Sequence, residues 1–197
     1  MVVLGLLVGP NNTPFDTAAL NAMNRVLGPD PRWMLWFTWG IAMVALLFCA
    51  VVVALWQRRW RVAVAAALCP VLALLGSRAL KKLFGRSKGD GDYWAHAYPS
   101  GHTTVVTTVT AMFVLAIGYT AWRAALAAVI SVIGGIGMAA TDYHYLTDIF
   151  GGWLWATALV CLAVLAAGPQ AVSRAAALPA ARPENTQPPK KVPSSER

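Results

Sequence analysis

Tyr98-Pro99-Ser100-Gly101-His102 stands directly before an uncharged stretch at 103–122, and His144-Tyr145-Leu146-Thr147-Asp148 stands before another at 149–168. Each uncharged stretch is long enough to cross a hydrocarbon core, which takes about 20 helical residues. The two polar motifs therefore lie at the ends of membrane spans. We expect the fold to bring their histidines together at one end of a helix bundle.

The composition of the 197-residue chain also indicates a membrane protein. The chain is 58% hydrophobic and 12% charged, whereas about 25% of the residues in soluble domains are charged. Apolar segments predict about five transmembrane helices, at 33–56, 62–80, 103–122, 124–141 and 149–168. The predicted fold class is all-α, a polytopic bundle of transmembrane helices.

Residues 1–32 precede this bundle. Thr13-Pro14-Phe15-Asp16 has the order of an N-cap, a first-turn proline and an acid, which predicts a helix from here to about Leu27. One side of that helix is apolar, so we expect it to lie along the outer membrane surface; a packed soluble cap is the alternative. Met1 to Val8 is apolar but too short to span, and we expect it to be the end of a helix whose beginning is missing.

Residues 33–168 form the predicted transmembrane domain, and the tail at 169–197, rich in proline, alanine and charge, is predicted to be disordered and cytoplasmic. The cysteines Cys49, Cys69 and Cys161 lie in three different apolar segments, so they predict neither a disulfide framework nor a metal site. The net charge of +8 comes from loops and the tail. Membrane topology and an anionic substrate explain it better than a nucleic-acid partner.

The loop at 57–61 carries three arginines and no acid, which places it in the cytoplasm under the positive-inside rule. The spans then alternate, so 81–102 and 142–148 face outward, while Trp122-Arg123 and the tail face inward. The segment at 78–88 has five basic residues, and the positive-inside rule applied to their number alone would place it in the cytoplasm. These residues have a functional explanation, so we keep the orientation. We therefore predict a multi-pass protein of the cell membrane with its polar motifs on the extracytoplasmic side.

The polar motifs contain side chains suited to phosphoryl transfer. His144 and Asp148 are four residues apart, a spacing at which the carboxylate can hold one imidazole nitrogen and leave the other as a base or nucleophile. In the first motif, Gly101 lets backbone amides at a helix start approach an anion, and the Ser100 hydroxyl can add a donor or simply cap the helix. Basic side chains upstream can bind phosphate or lie at the membrane interface: Lys81, Lys82, Arg86 and Lys88.

The chain resembles the type 2 phosphatidic acid phosphatase (PAP2) superfamily. The resemblance lies in the order of its motifs: the Lys and Arg residues, then Pro-Ser-Gly-His, then His-x-x-x-Asp. The superfamily's membrane lipid phosphatases are related to bacterial acid phosphatases and vanadium haloperoxidases. The resemblance covers roughly residues 14–168, and Pro-Ser-Gly-His is its specific part. It implies a haloperoxidase-like helical fold and an enzyme that uses no metal ion and no other cofactor.

The resemblance also implies roles for individual residues. His144 would attack phosphorus and form a phosphohistidine, with Asp148 orienting it. His102 would protonate the leaving oxygen and later activate water. The phosphoryl oxygens would be held by Lys81, Arg86, Ser100 and the Gly101 amide.

Two positions depart from the family's pattern. The family usually has an arginine seven residues after its lysine, and counted from Lys81 that position is Lys88. We favour Arg86 as the phosphate ligand, because only a guanidinium offers a two-pronged grip, and we keep Lys88 as the other candidate. The family also has Ser-Arg shortly before its nucleophilic histidine, where this chain has Gly137-Met138, so one phosphate-binding arginine is absent.

The sequence therefore predicts a phosphatase that acts on a lipid phosphate or a polyprenyl diphosphate, with membrane lipids as its other partners. It does not predict which lipid or which oligomeric state. One alternative is a weak or inactive member of the fold that binds or translocates a lipid phosphate, which the missing arginine would fit. Another is a vanadate-dependent peroxidase, against which the membrane spans argue.

Overall fold

The structure is a computed structural model that describes residues 1–28, 31–88 and 96–168, so the tail predicted to be disordered lies outside the described residues. Regular structure in these ranges is helical, apart from an isolated bridge between Ser87 and His96. A 3-10 helix at Arg32–Thr38 precedes the third α-helix. The α-helices are α1 (Val2–Val8), α2 (Pro14–Leu27), α3 (Gly40–Trp56), α4 (Trp60–Phe84), α5 (Gly101–Ile117), α6 (Ala121–Ala140) and α7 (Leu146–Ala167).

Four helical segments of the described chain are long and apolar enough to cross a bilayer: Arg32–Trp56, Trp60–Phe84, Ala121–Ala140 and Leu146–Ala167. They indicate a membrane protein. The span expected at 103–122 differs from the prediction, because α5 ends at Ile117 and has 17 residues. Gly118 follows with a φ of 101°, a left-handed conformation that ends the helix.

Helix α5 lies at the centre of the bundle and packs against α3, α4, α6 and α7. Thr104, Thr108 and Thr110 are buried without loss of hydrogen bonding, because their hydroxyls donate to carbonyls one turn earlier, as Thr104 does to Ser100 and Thr108 does to Thr104. A short central helix that satisfies its own polar groups can be enclosed by longer neighbours. Its burial explains why it need not match their length.

The chain places its polar motifs at one end of the bundle, which we call the polar end and define by His102 and His144. Arginines cluster at the other end. Arg59 donates to the carbonyls of Leu115 and Ala116, and Arg123 donates to those of Ile117 and Gly118, so both compensate the free carbonyls where α5 ends.

The predicted helix near the N-terminus is confirmed as α2, with a capping box between Thr13 and Asp16 and with Pro14 at its first position. It lies at the polar end, against α6 and α7. Met23 packs on the cluster of Leu35, Met138, Ala139 and Ile149, whereas Phe15 and Val26 remain exposed. Its apolar exposed face fits the proposed position at the membrane surface.

Candidate functional site

Two imidazoles face each other at the polar end. The ring centroids of His102 and His144 are 6.3 Å apart, and the ring planes are inclined by 60°. His102 is in the first turn of α5, while His144 is in the short loop between α6 and α7. Because hydrogen bonds and near-attack contacts each reach about 3 Å, one small group bound between the rings could contact both.

The loop that carries His144 is held by backbone hydrogen bonds. The amides of Tyr143 and His144 both donate to the carbonyl of Met138, at 3.0 and 3.2 Å. Asp142 adopts a φ of 60°, a left-handed conformation that aspartate tolerates better than most residues. This turn reverses the chain and leaves only 9% of His144 exposed.

His144 and Asp148 are neighbours, as their spacing predicts, but α7 begins only at Leu146, so His144 precedes the helix. The distance from His144 Nδ1 to Asp148 Oδ2 is 3.9 Å, longer than a hydrogen bond, and Nδ1 has no hydrogen-bond partner among the described residues. Without a bound substrate, catalytic hydrogen bonds are often this long. The far nitrogen, Nε2, is left for chemistry.

The environment of His144 favours its neutral form. Burial lowers the pKa of His144 below its usual 6.5; Asp148 opposes this shift, and the charges of Lys81 and Lys88 add to it. An imidazole that is neutral near pH 7 keeps its lone pair, which a nucleophile or a general base requires.

Ser100 caps α5, the simpler of the two roles expected for it. It is fully buried, and its Oγ accepts hydrogen bonds from the Thr103 amide at 3.4 Å and the Thr103 hydroxyl at 3.1 Å. The Ser100 amide donates to the carbonyl of Asp148 at 2.9 Å, which joins the two polar motifs. Gly101 follows as the first helical residue, where backbone amides have no intrahelical acceptor and can bind an anion.

Tyr98, to which the sequence analysis assigned no role, anchors the Pro-Ser-Gly-His loop. Its ring is fully buried, packs edge-on against Phe84 with centroids 5.1 Å apart, and donates its hydroxyl to the Met1 carbonyl. Gly5 and Gly151 face the ring, and a Cβ at either glycine would come within 2.7 Å of it. Burial raises the pKa of Tyr98 to about 12, so it stays a neutral donor.

Lys81 and Lys88 lie beside the histidines. Lys81 is near the end of α4, and its Nζ donates to the carbonyl of His96 at 2.6 Å. Lys88 pairs with the exposed Asp142, its Nζ 2.6 Å from Oδ1, and lies 4.7 Å from the ring centroid of Tyr145. Lys88 occupies the seven-residue spacing from Lys81, next to the His144 loop.

Arg86 is placed differently from the expectation that it grips phosphate. Its side chain is 1% exposed, and both terminal nitrogens are bound to carboxylates: Nη1 to Asp148 Oδ1 and Nη2 to Asp16 Oδ2, each at 2.8 Å. A guanidinium whose fork is occupied in this way does not present two donors to a ligand. In this structure Lys88, rather than Arg86, is the more accessible cation.

The position of the missing arginine is apolar. Met138 is 5% exposed and packs with Leu35, Ala139 and Ile149. The described residues contain no group of three or more His, Cys, Asp or Glu side chains that could hold a metal ion.

An apolar cavity of about 450 Å³ lies between α5, α6 and α7. Its wall includes Thr107, which is five residues after His102 on α5, and Ser131 and Trp153. The hydroxyls of Thr107 and Ser131 are 2.5 Å apart, and the Trp153 indole donates to Ser131. Because these polar atoms bond to one another, the cavity presents a hydrocarbon surface.

Asp16 and Thr147 are further residues that the sequence analysis did not assign to the site. Both are buried beside Arg86, and both contact it. Asp16 had a sufficient local explanation as a helix-capping acid, so the sequence offered no reason to look for a second role.

The sequence model of the PAP2 superfamily matches residues 69–170, a range that includes all the predicted site residues. Comparisons with curated proteins and with solved structures gave no match.

Proposed function

Because the chain belongs to the PAP2 superfamily, whose members are generally phosphatases, we propose that it is a metal-independent phosphatase acting on a lipid phosphate or a polyprenyl diphosphate. The observation that carries this proposal is the pairing of His102 and His144, 6.3 Å apart, at the end of a bundle of apolar helices. A site at the end of such a bundle would meet substrates whose phosphate lies at the membrane surface.

In the proposed reaction, His144 Nε2 attacks phosphorus while the bond from phosphorus to the leaving oxygen breaks, and His102 gives that oxygen its proton. A phosphohistidine results. Water then attacks phosphorus and loses its proton to His102, the bond from nitrogen to phosphorus breaks, and phosphate leaves. Asp148 stabilises the positive charge that His144 acquires, since its carboxylate faces Nδ1.

Charge on the phosphoryl oxygens would be stabilised by Lys81, Lys88 and the Gly101 amide. Ser100, as a buried cap, would contribute mainly by fixing that amide. Arg86 would act from behind Asp148 rather than on phosphate, because two carboxylates already hold it. Lysines bind phosphate as point charges, so the site would tolerate variation in the substrate's headgroup.

Two observations support a lipid substrate. The site lies at one end of a bundle in which α4, α6 and α7 are long and apolar enough to cross a membrane, and the cavity between α5, α6 and α7 has an apolar wall of the kind that a hydrocarbon chain occupies. A water-soluble phosphate ester would use neither feature.

The proposed function is tested by phosphate release from the purified full chain in the presence of EDTA. The panel contains a phosphatidate, a polyprenyl diphosphate, a polyprenyl monophosphate and nitrophenyl phosphate. We expect EDTA-insensitive release, with higher kcat/KM for at least one lipid than for nitrophenyl phosphate. Binding of the lipids without release would favour the inactive, lipid-binding alternative. Activity that EDTA removes would contradict the metal-independent mechanism.

We also propose that the polar end is extracytoplasmic. Arg59 and Arg123 both bond to the far end of α5, so the arginines used for the orientation are on the opposite side of the bundle from His102. In a variant without the native cysteines, we expect Tyr143→Cys to react with a membrane-impermeant maleimide on intact cells. Gln57→Cys should react only after permeabilisation. The opposite labelling would give the enzyme cytoplasmic substrates.

A further inference from the structure

A buried network joins the N-terminal helix α2 to the start of α7. At its centre is Arg86, which bridges Asp16 and Asp148. The Thr147 hydroxyl completes the network, since it accepts from Arg86 Nη1 at 2.6 Å and donates to Asp16. These side chains are at most 6% exposed, and Asp16 is separated from Arg86 by 70 residues and from Thr147 by 131.

Asp16 caps two helices at once. In α2 it closes the capping box with Thr13, and at α7 its Oδ1 accepts the Thr147 amide at 3.0 Å. Thr147 is the second residue of α7, where an amide has no intrahelical partner, so α2 supplies an acceptor in addition to Asp148, which accepts from the Tyr145 amide at the same helix start. Burial alone would raise the pKa of Asp16, but hydrogen bonds from Thr13, Thr147 and Arg86 outweigh it and lower the pKa, which keeps the carboxylate charged.

We propose that Asp16 is a positioning residue of the reaction: through Arg86 and Thr147 it fixes the Asp148 carboxylate, and thereby the His144 imidazole opposite His102. The proposal rests on the proposed function in assigning the nucleophile to His144. It goes beyond the family match, because Asp16 is outside residues 69–170. Under this proposal α2 contributes a positioning residue to the site.

The contacts of Asp148 show why its orientation depends on this network. Arg86 holds Oδ1, and the Tyr145 amide donates to Oδ2 at 3.0 Å. Oδ2 is also the oxygen that faces His144 Nδ1. A rotation of the carboxylate would move that oxygen away from the imidazole. Arg86 and the Tyr145 amide both oppose the rotation, and Arg86 is itself positioned by Asp16, Thr147 and the Asn11 carbonyl.

The network also determines how far Arg86 neutralises the Asp148 carboxylate that faces His144. Arg86 shares one positive charge between two carboxylates, so it does not fully cancel Asp148. If Asp16 became neutral, Arg86 would pair with Asp148 alone and weaken its attraction for the imidazolium. The other groups that face His144 are Lys81 from α4, Lys88 from the segment after α4 and His102 from α5, and the change leaves them in place.

The first test is Asp16→Asn in the full-length protein. Because Arg86 would lose its second carboxylate partner and pair with Asp148 alone, which weakens the attraction of Asp148 for His144, we expect kcat to fall by about 10- to 100-fold, while KM stays within about twofold. The matched control is Thr13→Ala, which breaks the capping box of α2 but keeps the Asp16 contacts with Arg86 and Thr147. It should lower thermal stability and leave kcat within about twofold of the parent. Equal effects of the two variants on kcat would overturn the proposal.

A second pair of variants covers the case in which Asp16→Asn fails to fold. Thr147→Val removes the hydroxyl that links Arg86 to Asp16 without changing any charge, and Thr147→Ser keeps it. We expect Thr147→Val to lose kcat on the order of tenfold and Thr147→Ser to retain it. Similar kcat values for both would exclude the linking role of Thr147.

A third measurement does not depend on turnover. The chain has three histidines, so the His144 imidazole can be followed by NMR in histidine-labelled protein, with its signal assigned by substitution. Asp16→Asn removes a negative charge, which disfavours the imidazolium, so His144 should titrate at lower pH than in the parent; in Thr13→Ala it should not move. An unchanged titration in Asp16→Asn would refute the network, whereas activity remaining in His144→Ala would refute only the proposed function.

Discussion

Replacing His144 with alanine is expected to abolish phosphate release while the protein still inserts into the membrane and folds. The proposed nucleophile is one nitrogen of this side chain, and the other nearby imidazole, His102, is needed as the acid and base. The measurement is phosphate release together with an acid-labile phosphoenzyme in rapidly quenched samples. Release by the variant above a few per cent of the parent rate would contradict the assignment.

His102→Ala is the matched comparison, because it removes the other imidazole of the pair. With nitrophenyl phosphate, whose leaving group needs little protonation, His102→Ala should still form the phosphoenzyme but hydrolyse it slowly. Asp148→Asn should be impaired less completely than His144→Ala, since it removes orientation and not the nucleophile. A phosphoenzyme in His144→Ala would place the nucleophile elsewhere.

Arg86→Met is expected to have the second-largest effect, on folding as well as on activity. Arg86 is the buried counter-ion of Asp16 and Asp148, and removing it leaves two carboxylates without compensation. Breaking a buried ion pair in this way costs about 3–5 kcal/mol. Unfolding in detergent, followed by circular dichroism, should show this loss. Arg86→Lys keeps the charge but not the two-pronged guanidinium, so it should lower kcat by a larger factor than it changes KM.

Lys88→Ala provides the contrast. Lys88 pairs with the exposed Asp142, and such surface pairs contribute little to folding, so stability should stay near that of the parent. If Lys88 binds phosphate, kcat/KM should fall about tenfold, which corresponds to 1.4 kcal/mol. Lys82→Ala, which removes a basic side chain from the last turn of α4, is the comparison for the loss of one positive charge. An Arg86→Met variant that is as stable as the parent but has lost affinity for inorganic phosphate would restore the role that the sequence favoured for Arg86.

The sequence by itself determined the class of the protein and the start of α2. Hydropathy over windows of about 20 residues reports on each helix separately, so the membrane helices were predicted without knowledge of their packing. Capping is equally local: Thr13, Pro14 and Asp16 predicted the start of α2, because all their contacts in the capping box lie within one helical turn. The approach of His144 to Asp148 follows in the same way from a spacing of four residues.

Only the tertiary structure decided how the cations are used and which helix is central. Spacing alone could not decide whether Arg86 or Lys88 is available to bind phosphate, because the carboxylate partners of Arg86 lie 70 residues before it and 62 after it in the chain. The second role of Asp16 depends on the same distant contacts. The shorter α5 is enclosed by four neighbours, and hydropathy does not record which helix is enclosed. Short-range rules describe each helix alone, whereas the burial of a charge depends on every element that packs around it.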